Sequence, residues 1–235
     1  MPKHEYGREG AYLQNEALKR ALIWIGLPMF AGLIIAGLAF ARVLPPPFYV
    51  GLLLFVPFAP RAAKEWEKRA DAALDPHLKG FGGERAVADA LRVLGDDCYL
   101  VHDVDLGRGN VDHIAIAPAG IFTIETKAWQ GSIRTEGDRL VHNGHDNPKV
   151  LKQAYAEAMA VRDYLERISA GRKYRVTPLV VFTEAKVDSQ GRCAGVFVMR
   201  IGRLAQFIQR GKPVLEPLER SRISGALGTR VVERR

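Results

Sequence analysis

Three side chains near the middle of the chain are of the types that phosphate chemistry uses: Asp112, Glu125 and Lys127. Glu125 and Lys127 end the run Gly120-Ile121-Phe122-Thr123-Ile124-Glu125-Thr126-Lys127, which reads as a buried strand with two opposite charges at its exit. Strand alternation sends both charges to one face and Thr126 to the other. Upstream, Asn110 to Ala117 is a second β-rich run, and Pro118-Ala119-Gly120 suits a tight turn between them. With Ala119-Gly120 as the loop, the antiparallel register sets Asp112 opposite Lys127, and Glu125 lies one diagonal step away. The carboxylates of Asp112 and Glu125 are hard oxygen ligands that can hold Mg²⁺, with Mn²⁺ as the alternative ion. Such an ion lowers the pKa of a bound water and neutralises transition-state charge, while Lys127 can orient that water or meet the developing charge. A cross-strand salt bridge between Asp112 and Lys127 is the competing explanation, contributing only about 0–1 kcal/mol if exposed.

Two further polar residues fall on helices that would have to frame this pair of strands. Gly80-Phe81-Gly82-Gly83-Glu84 leads into a short helical pattern whose apolar face is Val87, Leu91 and Leu94. Glu84 lies on that core-facing side, where a carboxylate needs a partner; acidic residues also favour a helix's first turn because they complement the macrodipole. After the strands, Asn147-Pro148 opens a longer helix, with Leu151, Ala154, Tyr155, Ala158, Val161, Leu165 and Ile168 at helical spacing. Gln153 lies at the margin of that face, where its amide can hold a water or a phosphate.

Together these motifs resemble the nuclease-related domain (NERD) family, a branch of the PD-(D/E)XK nucleases. The resemblance rests on Gly82-Gly83-Glu84, Val111-Asp112-His113, Ile124-Glu125-Thr126-Lys127 followed by Gly131, and Asn147-Pro148 with Gln153, and spans roughly Lys79 to Arg210. It implies an α/β fold with a mixed central sheet flanked by helices, as in restriction endonucleases, and Mg²⁺-dependent hydrolysis of DNA or RNA. The catalytic positions it implies are Asp112, Glu125 and Lys127, with Glu84 and Gln153 in support and Glu84 an additional metal ligand. Val111 stands where the PD motif has proline, a departure common in such nucleases.

The remaining sequence sets the organisation. The chain has 235 residues, 48% hydrophobic and 26% charged, enough for one well-formed core and an appendage. A net charge of +8 and a pI near 9.6 suit a polyanionic partner or an anionic membrane surface. Cys98 and Cys193 have no Cys-x-x-Cys companion, so reduced, buried thiols are expected rather than a zinc ribbon or disulfide framework. Residues 1–20 form a polar, mildly helical lead. From Ala21 to Ala41 no residue is charged, and a second uncharged stretch runs from Val43 to Pro60. The first is long enough to cross a ~30 Å hydrocarbon core. Residues 21–60 are therefore read as two transmembrane helices with a tight external turn, preceded by 1–20 and followed by a linker helix over 61–78 that carries the chain off the membrane before Pro76. Lys19 and Arg20 precede the first span, and Arg61, Lys64, Lys68 and Arg69 follow the second, with only Arg42 between them. That distribution places both ends in the cytoplasm and makes the chain a multi-pass protein of the cell (inner) membrane.

Within the 79–210 domain, Cys98 to Leu106 reads as the first strand of the sheet. Ser132-Ile133-Arg134-Thr135 and Arg139-Leu140-Val141-His142 read as a hairpin, Arg175 to Thr183 as a strand covered on both faces, and Ala194 to Met199 as another. Lys186 to Arg192 reads as a polar turn, and Arg203 to Gln209 as a short helix. His102, Asp103 and Asp105, and separately His142, His145 and Asp146, are tempting metal sets. Alternation separates His102 from the two aspartates, and the second set has the irregular spacing of solvated loop residues. Trp129 can cover the site, stack on a base or pack. The tail over 211–235 is basic and is expected to be a solvated or frayed end that can also lie on phosphates.

The expected function is a membrane-anchored, metal-dependent phosphodiesterase acting on nucleic acid with weak sequence preference. The alternatives are a non-catalytic nucleic-acid-binding module and an interaction module for a membrane partner, both on the same fold.

Overall fold

The structure, a computed structural model, describes residues 5–7, 18–19, 21–40, 59–107 and 109–231. The chain divides into two compact units, Leu13–Lys79 on one hand and Met1–Tyr12 with Gly80–Arg235 on the other.

In the Leu13–Lys79 unit, a π-helical turn over Leu22–Gly26 runs directly into α1, Leu27–Phe40. The unit also holds the first part of α2, Ala59–Leu91. The Trp24 and Trp66 rings lie 5.1 Å apart within it. No helix among the described residues is long and apolar enough to cross a membrane. α1 has 14 residues, about 21 Å at roughly 1.5 Å per residue. The second expected span, 43–60, lies almost wholly outside the described residues.

The expected break between a linker helix and a glycine-led helix is absent, because α2 is one helix of 33 residues that runs through Pro76 and Gly80. Proline inside a helix costs about 3 kcal/mol and each glycine up to about 1. Beyond Gly80, packing offsets these costs: Val87, Ala88 and Leu91 are fully buried. Gly83 sits so close to the sheet that a Cβ there would lie 3.0 Å from the Ala128 methyl. That close approach is why the helix carries glycine at this point.

The larger unit is built on a seven-stranded mixed sheet. Its strands are β1 (Glu5–Tyr6), β2 (Tyr99–Asp105), β3 (Asn110–Ala117), β4 (Gly120–Lys127), β8 (Val176–Phe182), β10 (Gly191–Cys193) and β11 (Val196–Arg200). The spatial order is β1-β2-β3-β4-β8-β11-β10. β4, β8 and β11 run parallel, and β2–β3–β4 form an antiparallel meander. A smaller sheet holds β5 (Ser132–Glu136), β6 (Arg139–His142), β7 (His145–Asp146) and β9 (Lys186–Val187). The segment expected to be a polar turn, Lys186 to Arg192, thus contributes a strand to each sheet. Hydrogen bonding to the neighbouring strands decides this, not its own composition.

One face of the large sheet, with Leu100, Ala115, Phe122, Ile124, Leu179 and Val181, packs against Val87 and Leu91 of α2 and against α4, Leu204–Gln209. The other face packs Val101, Ile114, Ile116, Ile121 and Val176 against α3, Pro148–Ile168, and α5, Pro217–Gly228. Cover on both faces explains why β4 and β8 read as nearly continuous apolar runs. Over its described residues, 211–231, the tail is not a frayed end: Ile223 and Leu227 of α5 enter the core, and Arg220 is buried with its guanidinium donating to the Leu215 carbonyl at 2.6 Å. The polar lead also contributes more than expected, because Glu5 and Tyr6 pair in parallel with Leu100 and Val101. The Glu5 carboxylate accepts hydrogen bonds from Arg92 at 2.8 and 3.2 Å and contacts His102 at 3.1 Å.

The register of the central hairpin also differs from expectation. Ala117 pairs with Gly120 and His113 with Ile124, so the two turn residues are Pro118 and Ala119. Proline's fixed φ favours this position in a turn. Continuing the ladder sets Asp112 across from Glu125 rather than Lys127. A two-residue shift keeps each side chain on its face and changes only its partner.

Candidate functional site

The exit of β4 gathers charged groups from four elements. On β4 itself, Glu125 is 2% exposed and its carboxylate pairs with the Lys127 ammonium two residues on, as their shared face requires. From β3, Asp112 turns one oxygen back to accept the Thr126 backbone N–H at 2.9 Å. α3 starts at Pro148, where a missing N–H costs nothing, and presents the buried Glu157 to Glu125. α2 supplies Glu84, also buried and close enough for its charge to act on Asp112. Four carboxylates and one ammonium thus share a small, largely desolvated volume.

The electrostatics follow from that crowding. Burial first, then the charges of Glu125, Glu84 and Glu157, hold the Asp112 carboxyl well above the usual carboxylate range, against the Thr126 N–H, which favours ionisation. Burial and the neighbouring Glu125 push Glu157 up to about 9. Burial alone would lower the Lys127 pKa, but the carboxylates of Glu125 and Asp112 outweigh it and the net shift is upward. Lys127 is therefore a fixed positive charge near neutrality, suited to holding an anion rather than to removing a proton.

Among the described residues no group of three or more His, Cys, Asp and Glu side chains is arranged as a metal centre. The donor chemistry nevertheless suits a hard cation. Glu125 Oε2 and Glu157 Oε2 are buried without a hydrogen-bond partner, a state that ordinarily costs free energy, and ionising both sets like charges side by side. Carboxylate oxygens of Asp112, Glu125 and Glu157, with Glu84 behind them, are ligands that Mg²⁺ or Mn²⁺ accept.

Of the residues expected at the site, Asp112, Glu125, Lys127 and Glu84 come together. Gln153 is exposed and reaches the cluster only through Glu157, to whose Oε1 its amide donates at 3.0 Å. Glu157 is the residue the sequence reading missed. It lies three residues after Ala154 and four before Val161, squarely within the buried stripe of α3, whereas Tyr155, assigned to that stripe, is 47% exposed. A carboxylate at a stripe position was the available signal.

The other sets have local roles. His102 and His113 approach through their Nδ1 atoms at 2.7 Å in the core, Asn110 donates to Asp103 at 2.5 Å, and Asp105 accepts from the Gly107 N–H at 2.7 Å. His142 stacks on Trp129, ring centroids 4.6 Å apart, and contacts the Gln130 carbonyl at 2.7 Å. Trp129 also lies 5.7 Å from Phe182, so its role is packing. Gly131 has φ +90°, and a Cβ there would collide with the Asn143 amide at 2.2 Å; that amide oxygen accepts the Ser132 N–H at 2.9 Å.

Residues 79–183 match the family model of the nuclease-related domain, NERD, and every residue of the cluster falls inside the match. Neither a curated protein nor a solved structure matches the chain.

Proposed function

We propose that this protein is a metal-dependent nuclease that hydrolyses phosphodiester bonds of DNA or RNA and is held at a membrane by its N-terminal region. The observation that carries the reading is the buried cluster of Asp112, Glu125, Glu84 and Glu157 around Lys127 at the exit of β4, within a nuclease-related domain. Asp112, Glu125 and Glu157 would hold the ion, with Glu84 supporting them. When bound, the ion supplies an acidified water and a positive charge for the scissile phosphate. Lys127 orients the attacking water and offsets the charge that develops on the non-bridging oxygens. The Thr126 N–H fixes the Asp112 carboxylate, and Gln153 fixes Glu157.

Two observations support the anchor. Residues 21–41 carry no charge, and the helical run over 21–40 leaves Leu22, Ile23, Met29, Phe30, Leu33 and Ile34 exposed. With a second span over 43–60, both ends of the chain face the cytoplasm and the protein is a multi-pass inner-membrane protein. Resistance of the chain to alkaline extraction from membranes, together with protease accessibility of the nuclease-related domain only from the cytoplasmic side, tests this part.

The test of function is incubation of the full chain with single- and double-stranded DNA and RNA, with and without Mg²⁺ or Mn²⁺, beside Asp112→Ala and Lys127→Ala. Cleavage by the wild type alone is expected. One observation favours the reading of a non-catalytic binding module: the Lys127 ammonium is already engaged by Glu125. Salt-sensitive binding that neither ion converts into cleavage decides for that module.

A further inference from the structure

At the other end of β4, and on the opposite face of the sheet from Glu125, lies a cavity of about 650 Å³. It falls within the range of about 300–1,000 Å³ typical of small-molecule sites. Phe122 of β4, Phe197 of β11 and Phe207 of α4 contribute aromatic walls. The Phe197 and Phe207 centroids are 4.8 Å apart, and those of Phe122 and Phe207 6.2 Å apart. Three arginines line the same space: Arg175 just before β8, Arg203 just before α4 and Arg210 just after it. Among the described residues no carboxylate lines it. All three arginines are exposed, and none makes an ion pair among the described residues, whereas Arg92, Arg139, Arg162, Arg172 and Arg220 do. Unpaired guanidiniums gathered at one opening, with no acid to neutralise them, create a positive potential over an aromatic floor.

The wall is held in place by short-range packing. After α4, the chain crosses the Pro118–Ala119 turn, and the Val214 and Leu215 N–H groups both donate to the Pro118 carbonyl, at 2.8 and 3.1 Å. At Gly211 a Cβ would lie 2.5 Å from the Ala119 methyl, so only glycine lets the two segments approach. Gln190 and Gln206 also line the cavity.

We propose that this cavity binds a nucleoside phosphate, its base against Phe197 and Phe207 and its phosphate held by Arg175, Arg203 and Arg210. A guanidinium matches two phosphate oxygens at once, a flat phenylalanine face accepts any base, and an amide can pair with the donor–acceptor edge of a base. Two sources present the same chemistry, a free mononucleotide and the phosphorylated terminal nucleotide of a strand. The site is separate from the carboxylate cluster and does not depend on the nuclease reading.

The test is calorimetric titration of the full chain in detergent micelles, in EDTA so that cation-dependent binding at the carboxylate cluster is silent. The probes are AMP, GMP, adenosine, inorganic phosphate and a 5′-phosphorylated oligonucleotide. AMP and GMP are expected to bind at least tenfold more tightly than either phosphate or adenosine alone. The double variant Arg203→Ala, Arg210→Ala is expected to weaken AMP at least tenfold with an unchanged melting temperature. Phe197→Leu, which keeps the apolar volume and removes the flat face, should weaken AMP without changing phosphate. Competition by the oligonucleotide at AMP-like concentrations assigns the site to strand ends, and its failure assigns it to free nucleotides; either result upholds the site. The proposal is overturned if neither AMP nor GMP binds, if inorganic phosphate binds as tightly as AMP, or if the arginine variant binds undiminished. Displacement of AMP by phosphatidic acid micelles but not by the oligonucleotide would also overturn it, in favour of a lipid headgroup.

Discussion

The two ends of β4 solve opposite electrostatic problems. At the Lys127 end, four carboxylates and one ammonium lie largely out of water, and burial, followed by the neighbouring carboxylate charges, raises the proton affinity of Asp112 and Glu157. At the Gly120 end, three guanidiniums stand in water without a carboxylate partner among the described residues, over phenylalanine rings. Buried like charges need a counter-ion or protons to persist, whereas exposed like charges cost little and wait for a ligand. One strand thus separates a buried, acidic region from an exposed, basic one.

The comparison can be broken most severely at Lys127. Lys127→Ala is expected to reduce metal-dependent cleavage by at least about a hundredfold, the scale for losing one electrostatic donor at a reacting centre, while circular dichroism stays unchanged. Retained turnover would remove the chemical meaning of the anionic end. At the cationic end the expected effect is about tenfold, in nucleotide affinity alone. Cleavage by the Arg203→Ala, Arg210→Ala variant, measured on the same substrates, should stay within about twofold of wild type; a parallel collapse of cleavage would show that the two ends act as one site.

Glu157→Gln sharpens the contrast through stability. Because the Glu157 carboxyl is raised to about 9 in the fold, from 4.5, its ionisation favours the unfolded chain. The stability it contributes is complete below pH 4.5 and is lost as pH rises towards 9. In metal-free buffer the wild-type melting temperature should therefore fall between pH 5 and 9 more steeply than that of Glu157→Gln. At pH 8 the variant should melt a few degrees higher, since about 1 kcal/mol corresponds to roughly 2–4 °C in a chain of this size. Added Mg²⁺ should stabilise the wild type more than the variant. Parallel melting curves would sink the buried-repulsion account.

The smallest expected effect has the opposite sign and comes from β3. His113 is buried, and burial followed by the adjacent His102 holds its pKa well below 6.5. The neutral ring's contribution is complete above about pH 6.5 and is lost as pH falls towards the lowered value, by no more than about 1.4 kcal/mol per pH unit. His113→Gln should flatten this acid-side decline in melting temperature. An identical decline in the variant would assign it to other groups, Glu5 first, whose pKa its hydrogen bonds with Arg92 lower against burial.

Much of the larger unit was legible in local pattern. β2, β3, β4, β8 and α3 stand where alternation and helical spacing placed them, because each buries its own apolar set. That Glu125 and Lys127 share a face was legible as well, since strand alternation alone requires it. Less legible were features that depend on remote partners. The 211–235 segment reads as a basic tail until the face of the sheet that receives Ile223 and Leu227 is known. Glu5 and Tyr6 read as coil until β2 offers an edge to pair with. Glu157 was passed over because the repeat that identifies a helix's apolar face is read from apolar residues, and a buried carboxylate interrupts it.

By itself the sequence determined β2, β3, β4, β8 and α3, the face shared by Glu125 and Lys127, and the uncharged stretches near the N-terminus. Residue types, their periodicity and the stereochemistry of proline and glycine are local properties, and these features need nothing else. Only the tertiary structure decided that Asp112 stands across from Glu125, that Glu157 completes the acidic cluster, and that Arg175, Arg203 and Arg210 share one opening. Each of those depends on a two-residue difference in register or on a contact between segments far apart in the chain. Such choices are settled by how whole faces pack and pair.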